Sequence, residues 1–209
     1  VKPQSDRVSA LQLDLLDSDP EPSIDASFAG MTRDELGNGA WIDVLPGWVR
    51  GSDRLFNELL EGVDWKEHEI KIYDRVIRQP RLSTRVEMTE LPRWPVLVEM
   101  VGALEARYGE QLVSCWMNLY RDGRDGVAWH GDREGRRQDT ALVADVSFGH
   151  RRRFLVRPKG RGRSRRYDIG RGDLLVMGGT CQRTFDHSVP KVARAGPRIS
   201  ITFRPWNLY

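Results

Sequence analysis

Residues 198–204 read RISITFR: Arg198, Ile199, Ser200, Ile201, Thr202, Phe203, Arg204. Polar and apolar side chains alternate with period two, the pattern of a strand whose successive side chains point to opposite faces. Ile199, Ile201 and Phe203 share one face; Arg198, Ser200, Thr202 and Arg204 share the other. An apolar outer face backed by a polar, doubly cationic inner face is unusual for a strand. Inside a closed sheet those guanidinium groups would be costly unless paired. A dicarboxylate would satisfy them, because the guanidinium fork matches a carboxylate bidentately. Two solvent-facing arginines on an edge strand would give the same alternation.

The surrounding sequence has the same texture. From about residue 112, short apolar-rich runs are separated by Gly-, Asp- and Arg-rich turns: LVSCWMNLY (112–120), ALVADVSFG (141–149), RRFLVRP (152–158) and DLLVMGG (173–179). Closely spaced short strands imply an antiparallel sandwich or barrel. In WMNLY, Trp116, Asn118 and Tyr120 share a face, opposite Cys115, Met117 and Leu119. Asn118 and Tyr120 are uncharged donors suited to a carboxylate or keto group. A half-buried strand with its amide facing water would look no different.

Four histidines are present: His68, His130, His150 and His187. His130 and Asp132 lie in AWHGDRE (128–134), and a His-x-Asp in extended chain presents both ligand atoms on one side. Alone, the pair reads equally as a polar turn. His187, in FDHSVP, lies 55 positions after Asp132, far enough to belong to another strand. Two histidines and one carboxylate form the facial triad of non-haem iron(II) oxygenases, which leaves positions open for co-substrate and oxygen.

Upstream, Trp41–Val44 reads as a strand. A helix follows, with Ser52 as N-cap, Leu55, Phe56, Leu59 and Leu60 on one side and Gly62 as its end. Residues 66–78 suggest a strand or hairpin, and RQPRLSTR (78–85) a Pro-broken polar loop. WPVLVEMVGALEARYG (94–109) is the clearest helix: Pro95 in the first turn, a stripe of Leu97, Met100, Val101 and Leu104, and Gly109 as the stop. Residues 1–36 read as a loose acidic leader with a short apolar patch at Leu11–Leu16.

Of 209 residues, 39% are hydrophobic and 30% charged, enough for one domain with an appended lid. No apolar run reaches the ~18 residues of a membrane helix, and no membrane partner is expected. The opening VKPQSDRVSA lacks the layout of a secretion signal, and Val at position 1 suggests a trimmed or engineered terminus. Only Cys115 and Cys181 occur, so a reducing, cytoplasmic setting is expected, the nucleoid in a bacterium. The net charge of +3 is uneven: residues 1–36 hold eight acids and three bases, leaving about +8 for the rest. His150–Arg166 holds eight Arg and one Lys, a run that favours a polyanionic partner or forms a solvated loop.

Taken together, NLYRDGRDGVAWHGDRE, VADVSFGHRRRFLVRPK, GDLLVMGGTCQRTFDHSVPK and RISITFR resemble the AlkB family closely in order and spacing, over about 115–205. QPRLSTR resembles, more weakly, the substrate lid of its DNA- and RNA-repair members. The resemblance implies an α+β, mainly β chain with a double-stranded β-helix (jelly-roll) core at 113–209. It implies an N-terminal extension with helices and a nucleotide-recognition lid at 37–112. It implies His130, Asp132 and His187 as Fe(II) ligands, and Arg198 on the distal carboxylate of 2-oxoglutarate. Arg204, Asn118 and Tyr120 would hold the other end of that molecule; Ser200 stands where some members carry Asn. Glu134 matches an acid near the substrate base. Arg81 in the lid, with Arg151 and Arg152 in the basic run, would meet the nucleic acid.

The implied chemistry is oxidative dealkylation of N-alkylated bases such as 1-methyladenine and 3-methylcytosine in DNA or RNA by a monomer. It uses Fe(II), 2-oxoglutarate and O2, and yields succinate and an aldehyde. One departure stands out: the region after Pro80 reads RLSTRVEM, with no aromatic ring to stack on a flipped base. Tyr73, Trp65 and Trp94 are the alternatives, each equally suited to a core. Two other readings stay open: the same oxygenase chemistry on a protein, lipid or small molecule, and a non-catalytic nucleic-acid-binding jelly roll.

Overall fold

A computed structural model describes residues 20–72, 75–132, 135–160 and 162–206. Strands are numbered along the chain. β14 (Arg198–Arg204) is a central strand, paired antiparallel to β9 (Val143–Gly149) and β7 (Ser114–Tyr120). The full sheet has eight strands. Beyond β9 come β12 (Asp173–Gly179), β3 (Ala40–Leu45) and β2 (Thr32–Gly37); beyond β7 come β6 (Arg75–Val86) and β5 (Lys66–Ile72). A second sheet runs β11 (Arg165–Ile169), β10 (Arg152–Pro158), β13 (Phe185–Val189), β8 (Val127–His130). A short ribbon pairs β1 (Ser23–Ile24) with β4 (Val49–Arg50). Among the described residues the α-helices are α1 (Ser52–Gly62), α2 (Pro95–Tyr108) and the single turn α3 (Cys181–Thr184).

Alternation along the central strands divides the interior in two. Ile199, Ile201 and Phe203 of β14, Met117 of β7, Val146 and Phe148 of β9 and Val176 of β12 face a core shared with Leu55 and Leu59 of α1 and Leu97, Met100 and Leu104 of α2. Their neighbours in sequence face the second sheet: Val143, Leu175 and Met177 pack with Phe154, Val156, Phe185 and Val189. The apolar face of RISITFR is thus covered by helices, and each of its three fully buried side chains contributes about 1.5–3 kcal/mol. Two facing antiparallel sheets with helices outside the larger one make the expected jelly roll. The opposite faces of β14, β7 and β9 are left to line the space between the sheets.

The two helices follow their patterns. Pro95 opens α2, and Gly109 closes it at φ 71°, donating its N–H to the Glu105 carbonyl. Ser52 proves to be the first helical residue of α1, and Gly51 at φ 63° is the cap. A Cβ at Gly51 would lie 2.2 Å from the Pro20 carbonyl, so a glycine is required where the chain passes that close.

Two sequence expectations need correction. Residues 20–36 are not loose: β2 pairs along β3, β1 pairs with β4, and Phe28 is buried against Trp48. Polar composition masked this because β2 is an edge strand with one face open to solvent. Residues 78–85 are not a loop either, but part of the twelve-residue β6. Pro80 is tolerated because Glu67 pairs with Leu82 and Glu69 with Arg78, so residues 79–81 bulge opposite His68. In a bulge no ladder N–H is missed. The apolar patch at Leu11–Leu16 lies outside the described residues.

Candidate active site

β13 and β8 are neighbours in the second sheet, and His187 stands directly across from His130. Cross-strand partners share a face, so both imidazoles point between the sheets. Their ring centroids are 4.3 Å apart and the rings are tilted by 55°. Asp132, two residues past His130, returns to the same side, and the ligand atoms of His130, Asp132 and His187 all lie within 4.8 Å of one another. The three residues that the sequence singles out are brought together. Two imidazoles and a carboxylate in this geometry suit Fe(II).

Each ligand is oriented by a neighbour. His130 Nδ1 lies 2.9 Å from the Ala128 carbonyl; a carbonyl only accepts, so Nδ1 carries the proton and Nε2 presents its lone pair. Burial holds this imidazole below the usual histidine range, in the neutral form a metal needs. Burial alone would raise the Asp132 carboxyl. The Arg204 guanidinium, 2.5 Å away through Nε, and the His187 imidazole outweigh that and hold it below the usual carboxylate range. Phe154 stacks on His187 at 5.3 Å. Gln182, buried in α3, accepts the Asp132 backbone N–H at 3.0 Å and fixes the turn after β8.

The triad opens on a cavity of about 480 Å³ between the sheets. Asn118, Tyr120, Ser200 and Arg204 line it, as the alternation of RISITFR and WMNLY leads one to expect. Arg198 does not line it: fully buried, it donates through Nη2 to Ser147 Oγ at 2.5 Å and Asp145 Oδ1 at 3.3 Å. Among the described residues, its Nε and Nη1, with Arg204 Nη1, are buried donors lacking a partner. Orphaned guanidinium donors are expensive and call for an anionic acceptor. The donor set therefore fits a small diacid beside a ferrous ion.

The mouth holds residues the sequence does not single out. His68 of β5 and Gln79 of the β6 bulge line the cavity beside Arg81, as do Ser83 and Trp116. Arg81 Nε donates to Asn118 Oδ1 at 2.9 Å. The bulge turns these side chains inward, and reading the segment as a loop hides them. Trp116, on the cavity face of β7, is an aromatic ring in the cavity lining, where the stretch after Pro80 offers none. Trp65 and Trp94 instead pack against the helical core. Tyr73 and Glu134 lie outside the described residues.

The basic run needs correction. Arg152 is buried, with its guanidinium donating to the carbonyls of Asp122, Asp125 and Pro190. It braces two loops and cannot reach a nucleic acid. Arg151 pairs with buried Asp173 at 3.2 Å, Arg165 with Asp34, and Arg166 with Asp168 at 2.7 Å. Arg157 stacks on Trp129 and Lys159 binds the Gln182 and Arg183 carbonyls. Among the described residues of the run, Arg153 and Arg163 alone keep unengaged guanidinium groups. The cysteines are buried and unpaired, their thiols pushed up to about 12 by burial, which makes them poor nucleophiles.

Known proteins match this arrangement. The family model of the 2OG-Fe(II) oxygenase superfamily covers residues 44–204. The chain is 32% identical over 186 residues to Alpha-ketoglutarate-dependent dioxygenase alkB homolog 3 of Bos taurus, spanning 78% of this chain and 65% of the relative. It is 32% identical over 212 residues to DNA oxidative demethylase ALKBH2 of Arabidopsis thaliana, spanning 81% of this chain and 68% of the relative. The structure of OsALKBH1 superposes with a TM-score of 0.58 at 14% identity, over 83% of this chain and 99% of that one, and so shares the fold. The chain spans a little under two thirds of the first relative's length. This chain belongs to the 2OG-Fe(II) oxygenase superfamily and to its AlkB-like members.

Proposed function

We infer that this protein oxidatively removes N-linked alkyl groups from bases of DNA or RNA, coupled to conversion of 2-oxoglutarate to succinate and release of an aldehyde. The observation that carries the reading is the triad His130, Asp132 and His187 beside a cavity where Arg204 Nη1, and behind the wall Arg198 Nε and Nη1, are buried donors without partners among the described residues. Relatives named as dioxygenases and a DNA oxidative demethylase support it.

Its family uses Fe(II), 2-oxoglutarate and O2, which supply the oxidising power when bound. The chain supplies position and charge. His130 and His187 would bind iron through neutral nitrogens and Asp132 through the oxygen that Arg204 leaves unclaimed. Arg204, Asn118, Tyr120 and Ser200 would hold the diacid, with Arg198 behind them. Arg81 caps Asn118 from the mouth. A target base must leave its stack to reach this depth, or come from a single strand. Trp116, His68 and Gln79 are the cavity groups placed to meet it. Glu134 would be the acid that favours cationic methylated bases. The monomeric state and cytoplasmic location belong to the same proposal. Among the described residues, no helix is long and apolar enough to cross a membrane.

The test is formaldehyde release from DNA and RNA oligonucleotides carrying 1-methyladenine or 3-methylcytosine, run beside succinate formation. Coupled release by the native protein, lost in Asp132→Ala, is expected. Succinate without formaldehyde across the whole panel would instead favour a protein or small-molecule substrate. Pairing of the basic run within the molecule favours that second reading, because free charge there is the main argument against it.

A further inference from the structure

The cavity meant for a dianion has a carboxylate built into its wall. Asp145 of β9 lines it, is 7% exposed, and has both oxygens engaged. Oδ1 accepts from Ser147 Oγ at 2.9 Å and Arg198 Nη2 at 3.3 Å. Oδ2 accepts from Ser200 Oγ at 3.0 Å and Thr202 Oγ1 at 3.4 Å. Arg198 and Ser200, the co-substrate groups expected from the sequence, are thus already committed to Asp145. Asp145 touches the cavity and Arg198 at once, whereas Arg198 has no exposure of its own. The Tyr120 ring lies 5.1 Å from the Arg198 guanidinium and 5.8 Å from that of Arg152.

A negative charge this close to an incoming carboxylate, in a site of low dielectric, opposes binding strongly. The hydroxyls of Ser147, Ser200 and Thr202 fix that charge in place and cannot neutralise it. Arg198 Nε and Nη1 are buried and without a partner among the described residues, and the charge of the group is shared with Asp145.

We propose that Asp145 is a specificity-determining residue that competes with the distal carboxylate of 2-oxoglutarate for Arg198, giving this enzyme a weak co-substrate site that discriminates poorly between 2-oxo diacids and 2-oxo monoacids. This rests on the reading that the cavity takes 2-oxoglutarate.

Calorimetry on the Mn(II)-loaded protein without oxygen tests it without turnover. The ligands are 2-oxoglutarate and 2-oxopentanoate, which lacks the distal carboxylate. The native protein should prefer the diacid by less than about thirtyfold, and a larger preference overturns the proposal while leaving the co-substrate reading intact. Asp145→Asn, which keeps the size and removes the charge, should bind 2-oxoglutarate about tenfold tighter and 2-oxopentanoate unchanged. Unchanged or weaker diacid binding in a folded Asp145→Asn protein would make Asp145 a scaffold for Arg198 and sink the idea. The native comparison stands even if the variant does not fold. Binding of neither acid by native protein would overturn the co-substrate reading itself.

Discussion

Two sets of arginines differ in what their charge can do. The run from His150 to Arg166 is the most basic stretch of the chain, yet most of it is spent within the molecule. Arg151, Arg165 and Arg166 pair with Asp173, Asp34 and Asp168, and Arg152 is sealed among carbonyls. The arginines in the cavity wall, Arg81 and Arg204, and Arg198 behind it are fewer and scattered through the sequence, but Arg198 and Arg204 retain buried donors without partners among the described residues. Density of charge in a sequence therefore says little about charge on offer. What decides is which acids the topology sets nearby: Asp34, which takes Arg165, lies 131 positions away, and no sequence window reveals it.

The comparison is sharpest at the metal. Asp132→Ala removes the only acid in the triad and leaves Arg204 without its partner. It should abolish ferrous-ion uptake, measured by equilibrium dialysis, and with it all succinate formation. Retained uptake would break the assignment. Next comes Arg152→Ala, which should destabilise the fold by about 3 kcal/mol, because three carbonyls lose a charged donor inside the protein. Urea unfolding would show it. A midpoint unchanged within error would return Arg152 to the surface role that its neighbours in sequence suggest.

A smaller effect is expected at Gln182. Its amide oxygen holds the Asp132 backbone N–H. Gln182→Ala should weaken ferrous binding about tenfold to a hundredfold, as removal of a group that supports a metal ligand does. Gln182→Glu, which keeps the acceptor, should restore part of that affinity. A purely structural role would lower the melting temperature without moving the metal affinity.

Much of this site is legible in the sequence, for a physical reason. Period-two alternation assigns each residue of RISITFR and WMNLY to a face, and the polar face of a buried central strand has nowhere to go but a cavity. His130 and His187 can be paired because their flanking runs are both short strands. Asp145 escapes because ADVSF reads as a strand core, and nothing local shows that its carboxylate meets Arg198, 53 positions away. His68 and Gln79 escape because one proline makes an edge-proximal bulge look like a loop. The leader's share in the sheet escapes because β2 shows solvent one face and so carries few apolar residues.

The least effect belongs to the unengaged members of the basic run. Arg153 and Arg163 are exposed and make no pair among the described residues, so Arg163→Ala should change stability by less than about 0.5 kcal/mol. If the run still serves nucleic acid, these two are the groups left to do it. Removing either arginine from a phosphate should then flatten the dependence of log affinity on log salt by about 0.7–0.9. The double variant Arg153→Ala, Arg163→Ala should lower the salt slope for a single-stranded oligonucleotide by up to about 1.4 while leaving metal and 2-oxoglutarate binding alone. An unchanged slope would place the nucleic-acid interface at the mouth, on Arg81 and the β5–β6 hairpin, and leave the most basic stretch of the sequence with a structural role only.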